Sequence, residues 1–341
     1  MTGTHGAALI GAGWVSGEYV KAFRDHPEVE LKGIFTRTPA KAEALLREHG
    51  VEARIYATED ELFDDDEVSI VASTTSPDVR ARHIIRAAES GRHVVIEKPV
   101  GLDMGSVREI RDAVGKAGVK SVTSFVLRWN PQLRTTHQMI ADGLVGDVLY
   151  AEADYWHPLQ KWYPSYYWMC KKELGGSALL AAGCHAVDTL RWFCGDIKEV
   201  AAFSSEAKFN PDYTFPPNIV GSVRFGSGQV GKVSTIMDAE TPYIFNTRVF
   251  GSESTVLNNR IHSSKHFPGA KGYWSYDTIL PDSGDVTHHP FYDMIDHFVD
   301  CIENDKEALT NIEDAAKSMA VCFALDESAA RGGEVVQVDA S

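Results

Sequence analysis

A glycine-rich turn, Gly11-Ala12-Gly13-Trp14-Val15-Ser16-Gly17, follows the apolar run at residues 7–10. Beyond it Trp14, Val15, Tyr19, Val20 and Phe23 recur at helical spacing. A strand that turns sharply into a helix leaves the first helical N–H groups open, and these together with the helix dipole favour an anion. Gly11 suits the tight turn, and Gly13 lets a pyrophosphate approach the helix. Ser16 stands where the usual fingerprint has its third glycine, and it is small enough for close helix packing. Tight turns use glycine for their own sake, so the motif gains weight only from its setting. A strand before it, a helix after it and a second apolar run at 31–35 make dinucleotide binding the expectation, with Gly11, Gly13, Trp14 and Val15 at the cofactor.

The alternation continues beyond that turn. Apolar runs at 31–35, 68–73, 93–96 and 121–126 read as strands, and Pro39–His49, 79–90 and 106–116 read as helices between them. Such a pattern predicts a parallel sheet covered by helices on both faces, that is, an α/β Rossmann domain over residues 1–127. After residue 127 the pattern changes: a helix at 131–142, an extended stretch at 148–157, and an aromatic loop at 155–170. A helix follows Gly175-Gly176 and ends near Gly195, and residues 197–280 alternate apolar and polar as an antiparallel sheet does. Helices at Phe291–Glu303 and Ile312–Ala330 close the chain, the second with Thr310 and Glu313 as a capping box. Residues 128–341 are therefore expected to form an α+β domain with an open, largely antiparallel sheet. A length of 341 residues, beyond what one core usually serves, agrees with two domains.

Charge and composition narrow the partners. Lys and Arg number 33 against 48 Asp and Glu, a net charge of −15 that disfavours nucleic acid. No apolar run approaches the roughly 20 residues of a membrane helix, and residues 1–8 carry neither the basic nor the apolar region of an export signal. Five cysteines without a C-x-x-C spacing fit a reducing compartment, so a cytoplasmic protein is expected. Cys184, Cys194 and His288-His289 lack the spacing of a zinc site, and no metal is expected.

Two strand ends carry further signals. At the end of the second strand, where an acid would bind the ribose hydroxyls of NAD, stand Thr36 and Arg37. A hydroxyl and a guanidinium favour the 2′-phosphate of NADP, whereas an Arg37 stacked on adenine or lying in solvent would leave NAD equally acceptable. The fourth strand runs into Glu97-Lys98-Pro99, and strand ends of a parallel sheet face the ligand crevice. A lysine there is a surface charge or a catalyst, and the strand end alone does not decide which.

The segment Ala88-Glu-Ser-Gly-Arg-His-Val-Val-Ile-Glu-Lys-Pro99 resembles the signature of the glucose–fructose oxidoreductase, inositol dehydrogenase and MocA-type oxidoreductases. The resemblance extends over nearly the whole chain, through Phe125-Val-Leu-Arg-Trp-Asn-Pro131, Gly143-Leu-Val-Gly-Asp147, the block from Gly175 to Asp188, and Ile312-Glu-Asp-Ala-Ala. It implies hydride transfer to or from a carbohydrate-like substrate, with the second domain's sheet making homo-oligomer contacts. By position it implies that Lys98 contacts both substrate and nicotinamide and that His185 is the acid/base. It also implies cofactor contacts at Thr75, Ser76 and Glu97, and a substrate contact at Arg128. The chain departs from the family at Ala181, where an Asp-x-Gly-x-His pattern usually places a carboxylate. Asp188, three residues past His185 on the same helical face, either orients the imidazole or pairs with a neighbouring arginine such as Arg191.

The residue chemistry is consistent with such a reaction. An imidazole with an ordinary pKa near 6.5 accepts a hydroxyl proton at neutral pH, and an ammonium stabilises the developing alkoxide. The loop from Tyr155 to Trp168, with seven aromatic residues besides His157 and Lys161, suits the apolar faces and polar edges of sugar rings, or alternatively an oligomer contact. Tyr155, His157 and Lys161 are candidate substrate contacts. The leading expectation is an NAD(P)-dependent oxidoreductase of a sugar or glycoside, with C3 of a glucosyl ring among the positions considered. A glycosidase using transient oxidation, and a non-catalytic sugar or dinucleotide sensor, are the alternatives.

Overall fold

The computed structural model describes residues 5–281 and 289–340, so His288 lies outside the described residues. Strands β1 (His5–Ile10), β2 (Val29–Phe35), β3 (Arg54–Tyr56), β4 (Ile70–Ser73), β5 (His93–Ile96) and β6 (Ser121–Thr123) form one sheet in the order β3-β2-β1-β4-β5-β6. Every pairing in it is parallel. Helices α1 (Ser16–Asp25), α2 (Pro39–His49), α3 (Glu59–Phe63), α4 (Pro77–Glu89) and α5 (Met104–Ala117) connect these strands. The central strands are apolar along their length, as a sheet covered on both faces requires: Ala7, Ala8, Leu9, Val71, Ala72, Val94, Val95 and Ile96 are fully buried. The strand order reverses between β1 and β4, and the carboxyl ends of the strands at such a switch point are where open α/β sheets receive ligands.

The second sheet takes in β7 (Val148–Trp156), β8 (Ile197–Ser205), β9 (Asn218–Phe225), β10 (Val230–Ile236), β11 (Ile244–Gly251), β12 (Thr255–Leu257), β13 (Arg260–His262), β14 (Trp274–Ser275) and β15 (Val336–Gln337). Its order is β14-β13-β12-β11-β7-β10-β9-β8-β15, and every pairing is antiparallel except that of β7 with β10. Helices α6 (Pro131–Ala141), α7 (Tyr166–Met169), α8 (Lys172–Gly175) and α9 (Cys184–Cys194) precede β8, and α10 (Phe291–Glu303) and α11 (Ile312–Ala330) come late in the chain. The fold is thus a Rossmann-type sheet followed by a mixed, mostly antiparallel one.

Two expectations are corrected. The compact units are Met1–Val126 with Pro290–Ala316, and Leu127–His289 with Lys317–Ser341, so residues 290–316 belong with the first unit and not with a second domain running from 128 to 341. The cause is packing: Phe291 meets Tyr19 edge-on at 5.2 Å, and Thr310 and Thr123 exchange hydrogen bonds, Thr123 N–H to Thr310 O (2.8 Å) and Thr310 Oγ1 to Thr123 O (2.7 Å). Thr310 is not the helix cap, because α11 begins at Ile312 and Thr310 lies one residue before the cap position. Asn311 takes its place, its Oδ1 accepting from Asp314 N–H at 2.9 Å, while Ser121 Oγ accepts from Ile312 N–H at 3.0 Å.

Candidate active site

In the first unit, the switch point between β1 and β4 is flanked by residues that directly follow each strand. Gly11 has φ +110°, and a Cβ on it would lie 2.7 Å from Thr74 Oγ1, so no other residue fits the turn. Thr74 in turn holds the loop, its hydroxyl 2.8 Å from that of the fully buried Ser16. Gly13 is exposed, and a Cβ there would meet nothing closer than 3.9 Å, which leaves the approach to the N-terminus of α1 open. A dinucleotide pyrophosphate fits these residues. Thr36 Oγ1 accepts from Thr38 N–H at 3.3 Å, and Arg37 is exposed at the end of β2. Thr75 and Ser76 stand at the start of α4, but the Thr75 hydroxyl is engaged by Ser73 (2.9 Å) and His83 (3.2 Å). The residue facing the glycine turn is Thr74, which the sequence reading passed over although it directly follows β4.

Glu97, expected at the cofactor, has its carboxylate engaged within the protein. It is 4% exposed, and its carboxylate accepts from Tyr19 OH (2.7 Å) and from Lys98 N–H (3.0 Å). Ser124 Oγ also accepts from Lys98 N–H at 3.0 Å. Arg80, 3% exposed, donates to the carbonyls of Glu97 (2.7 Å), Thr75 (2.6 Å) and Pro99, and burial pushes its guanidinium down to about 10. The Lys98–Pro99 bond is cis. Glu97, Ser124 and Arg80 thus hold the backbone that carries the half-buried Lys98 side chain.

In the second unit, His185 is 3% exposed on α9. Its ring stacks on that of Tyr155 with centroids 5.9 Å apart and planes 17° from parallel, and His289 lies 6.4 Å away on another side. Strand register brings Tyr155 opposite Phe245 on β11 and Thr235 on β10. His157, Tyr163 and Tyr243 complete a cluster of edge-on rings around it: Tyr155–Tyr243 at 5.4 Å, His157–Tyr243 at 5.4 Å and His157–Tyr163 at 5.3 Å. Burial first, then the neighbouring Tyr243, pushes the Tyr155 phenol well above its ordinary range, so it stays protonated as a hydrogen-bond donor. The Lys161 side chain is 79% exposed and lies 3.8 Å from Asp212.

The chain reaches α9 through a π-helical turn, Leu179–Gly183. Thr235, fully buried, fills the space beside it: a Cβ on Gly183 would fall 1.9 Å from Thr235 Oγ1. Asp188 neither orients His185 nor pairs with Arg191. It forms a two-pronged ion pair with Arg128, at 2.7 Å to Nε and 2.6 Å to Nη2, with the side chains 2% and 4% exposed. Ser318 Oγ donates to Asp188 (2.8 Å), Arg191 donates to Ser318 (2.7 Å), and Arg191 also meets Asp196 (2.8 Å). Arg128 and Asp188, expected at the substrate, are engaged with one another and tie α9 to the turn that carries Arg128. A guanidinium and a carboxylate in matching fork geometry satisfy one another wherever the fold lets them meet.

Comparison with known proteins follows from this geometry. Residues 6–125 match the model described as oxidoreductase family, NAD-binding Rossmann fold, and residues 133–257 match the GFO/IDH/MocA C-terminal domain. The chain belongs to the GFO/IDH/MocA oxidoreductase family. It is 28% identical over 265 residues to a 1,5-anhydro-D-fructose reductase of Ensifer adhaerens, covering 75% of this chain and 76% of that one. It is 25% identical to the scyllo-inositol 2-dehydrogenase (NAD(+)) of Bacillus subtilis, over 92% and 90% of the two chains. In fold it resembles a levoglucosan dehydrogenase solved with NADH and levoglucosan, with a TM-score of 0.89, 20% identity and coverage of 98% and 99%. This family member is an enzyme, an oxidoreductase whose first unit is an NAD-binding Rossmann domain. Among the described residues no group of His, Cys, Asp and Glu could hold a metal ion, and no helix is long and apolar enough to cross a membrane.

The Arg128–Asp188 pair generates a stability prediction. Asp188→Asn removes one charge of a buried ion pair and lowers unfolding free energy by about 3–5 kcal/mol in a urea titration. The double variant Arg128→Met/Asp188→Leu recovers most of that loss. A loss below about 1 kcal/mol in Asp188→Asn would show that the pair does not brace α9.

Proposed function

We propose that the protein is an NAD(P)-dependent oxidoreductase that interconverts a secondary alcohol and a ketone on a sugar or glycoside. The observation that carries this reading is the ring cluster around His185: an imidazole stacked on Tyr155 and flanked by phenols, with Ala181 where the family usually has a carboxylate. Aromatic faces receive the C–H surface of a sugar ring, and phenol and imidazole edges receive its hydroxyls. The relatives named for sugar and inositol substrates support the same class.

Gly11 and Gly13 would hold the pyrophosphate of the dinucleotide, which when bound would supply a nicotinamide as hydride acceptor or donor. His185 removes the proton from the reacting hydroxyl, and in the opposite direction it returns it. Lys98, held by its backbone at Glu97 and Ser124, presents an ammonium that stabilises negative charge on the same oxygen. His157 and Tyr155 orient the neighbouring hydroxyls. Thr36 and Arg37 give the ribose pocket a hydroxyl and a cation in place of an acid, which supports NADP as the preferred cofactor.

The second sheet supplies a surface for self-association. Phe203, Val220, Val230 and Phe250 are 36–67% exposed, and their registers place them on the face opposite Tyr155. Four apolar side chains aligned across neighbouring strands support a homo-oligomer formed through this sheet. A cytoplasmic location is part of the same reading and rests on five free cysteines.

Two experiments test the proposal. Sugars and glycosides are incubated with the protein and either cofactor, and reduced nicotinamide and product mass are followed. Lys98→Ala and His185→Ala keep the parent's thermal unfolding profile and lose about 100- to 10,000-fold in kcat; turnover of His185→Ala at the parent rate would remove it as the base. In the second, Thr36→Asp shifts relative affinity from NADP toward NAD by about tenfold or more, because a carboxylate repels the 2′-phosphate and accepts from free ribose hydroxyls. Unchanged relative affinities would show that Thr36 does not face the ribose.

A further inference from the structure

The rings around His185 do not end at the buried cluster. His185 stacks on Tyr155 at 5.9 Å, Tyr155 meets His157 at 6.0 Å, His157 meets Tyr163 at 5.3 Å, and Tyr163 meets Trp162 at 6.1 Å. The first four are at most 8% exposed, whereas Trp162 is 73% exposed. A continuous ladder of rings therefore runs from the catalytic imidazole to the surface, and its last rung offers an indole to solvent.

An exposed tryptophan on a floppy loop would carry little meaning, but this loop is tied down. Tyr163 N–H donates to Gln160 O and Tyr166 N–H to Tyr163 O, both at 2.9 Å. Tyr166, 2% exposed, donates its hydroxyl toward Asn210 (3.0 Å) and Asp212 (2.5 Å). Lys171 Nζ reaches Asp212 O at 2.8 Å, and Thr214 N–H donates to Cys170 O at 3.0 Å. The facing segment is fixed as well, with Asp238 accepting from the N–H groups of Lys208, Phe209 and Asn210. The loop that carries the indole is thus tied down before any ligand arrives, which lowers the ordering cost of binding to it.

We propose that Trp162 and Tyr163 form an outer subsite that takes the aglycone of a glycoside, a neutral planar ring, while the sugar is held at His185. This rests on the sugar reading above and names the substrate class for it. Ring centres about 5–6 Å apart match stacking and edge-on contacts between aromatic groups, so a planar aglycone continues the ladder as one more rung. The ladder carries no carboxylate or ammonium; Lys161 beside it is turned to Asp212. Neutral partners are favoured accordingly. A second copy of the chain has its own apolar face, which the strand registers place across the sheet from Tyr155.

The test is calorimetric titration of the full chain in the presence of NADH, so that no alcohol is consumed, with matched methyl and 4-nitrophenyl glycosides of glucose, galactose and xylose. For at least one sugar the aryl glycoside binds about three- to tenfold more tightly than the methyl glycoside. Trp162→Ala abolishes that difference and leaves the methyl glycoside within twofold, and Phe209→Ala, altering an equally exposed ring off the ladder, leaves both affinities in place. Equal affinities for each matched pair, or equal losses for both members in Trp162→Ala, overturn the subsite while leaving the sugar reading intact. A Trp162→Ala protein that sediments as a smaller assembly and keeps its aryl preference makes this face a contact between copies and also overturns it. Failure of every glycoside to bind overturns the sugar reading and the subsite together.

Discussion

The ion pair between Arg128 and Asp188 is the constraint on which the site in the second unit depends. Both charges are buried, so each offsets much of the other's desolvation cost. Asp188 lies one helical turn past His185, and Arg128 lies on the short 3₁₀ turn Val126–Trp129 before α6. The pair therefore sets α9 against that turn, and Ser318 and Arg191 extend the hold to α11. On its other side α9 is set by the contact of Gly183 with Thr235, which leaves no room for a side chain. Between these two restraints the imidazole of His185 has one place to lie, flat against Tyr155.

The first unit solves an equivalent problem for Lys98. A lysine at the end of a parallel strand is flexible by itself, and its backbone is gripped here by Glu97 and Ser124, while Arg80 gathers the carbonyls on either side. In both units a residue expected at the ligand has its side chain engaged beside a candidate catalytic group: Glu97 at the Lys98 backbone, and Asp188 one helical turn past His185. Positioning residues cluster in sequence around the residues they position, and a linear reading cannot separate the two.

Much of the fold was legible because local chemistry and tertiary packing agree. The bounds of α2, α10 and α11 and of β5 follow directly from apolar periodicity and from residues such as Pro39 at a first helical turn. β3 and α3 escaped the sequence reading because Arg54–Tyr56 and Glu59–Phe63 are too short to show a period. The parallel pairing of β7 with β10 and the return of residues 290–316 to the first unit both depend on partners far away in the chain. Of the site, the glycine turn, Lys98 and His185 stood out by motif. Thr74, Tyr163, Tyr243 and His289 did not, since each gains its place only through strand register or ring contact.

The central claim is that this chain moves a hydride from a carbinol carbon while His185 takes the proton. Mass analysis of the reduced nicotinamide formed from sugars deuterated at each ring carbon tests it directly. The account predicts that deuterium at one ring position appears in the reduced cofactor, with the matching ketone as product, and that His185→Ala forms neither at a comparable rate. Reduced cofactor that carries no label from any ring position, or label delivered equally well by His185→Ala, would contradict it.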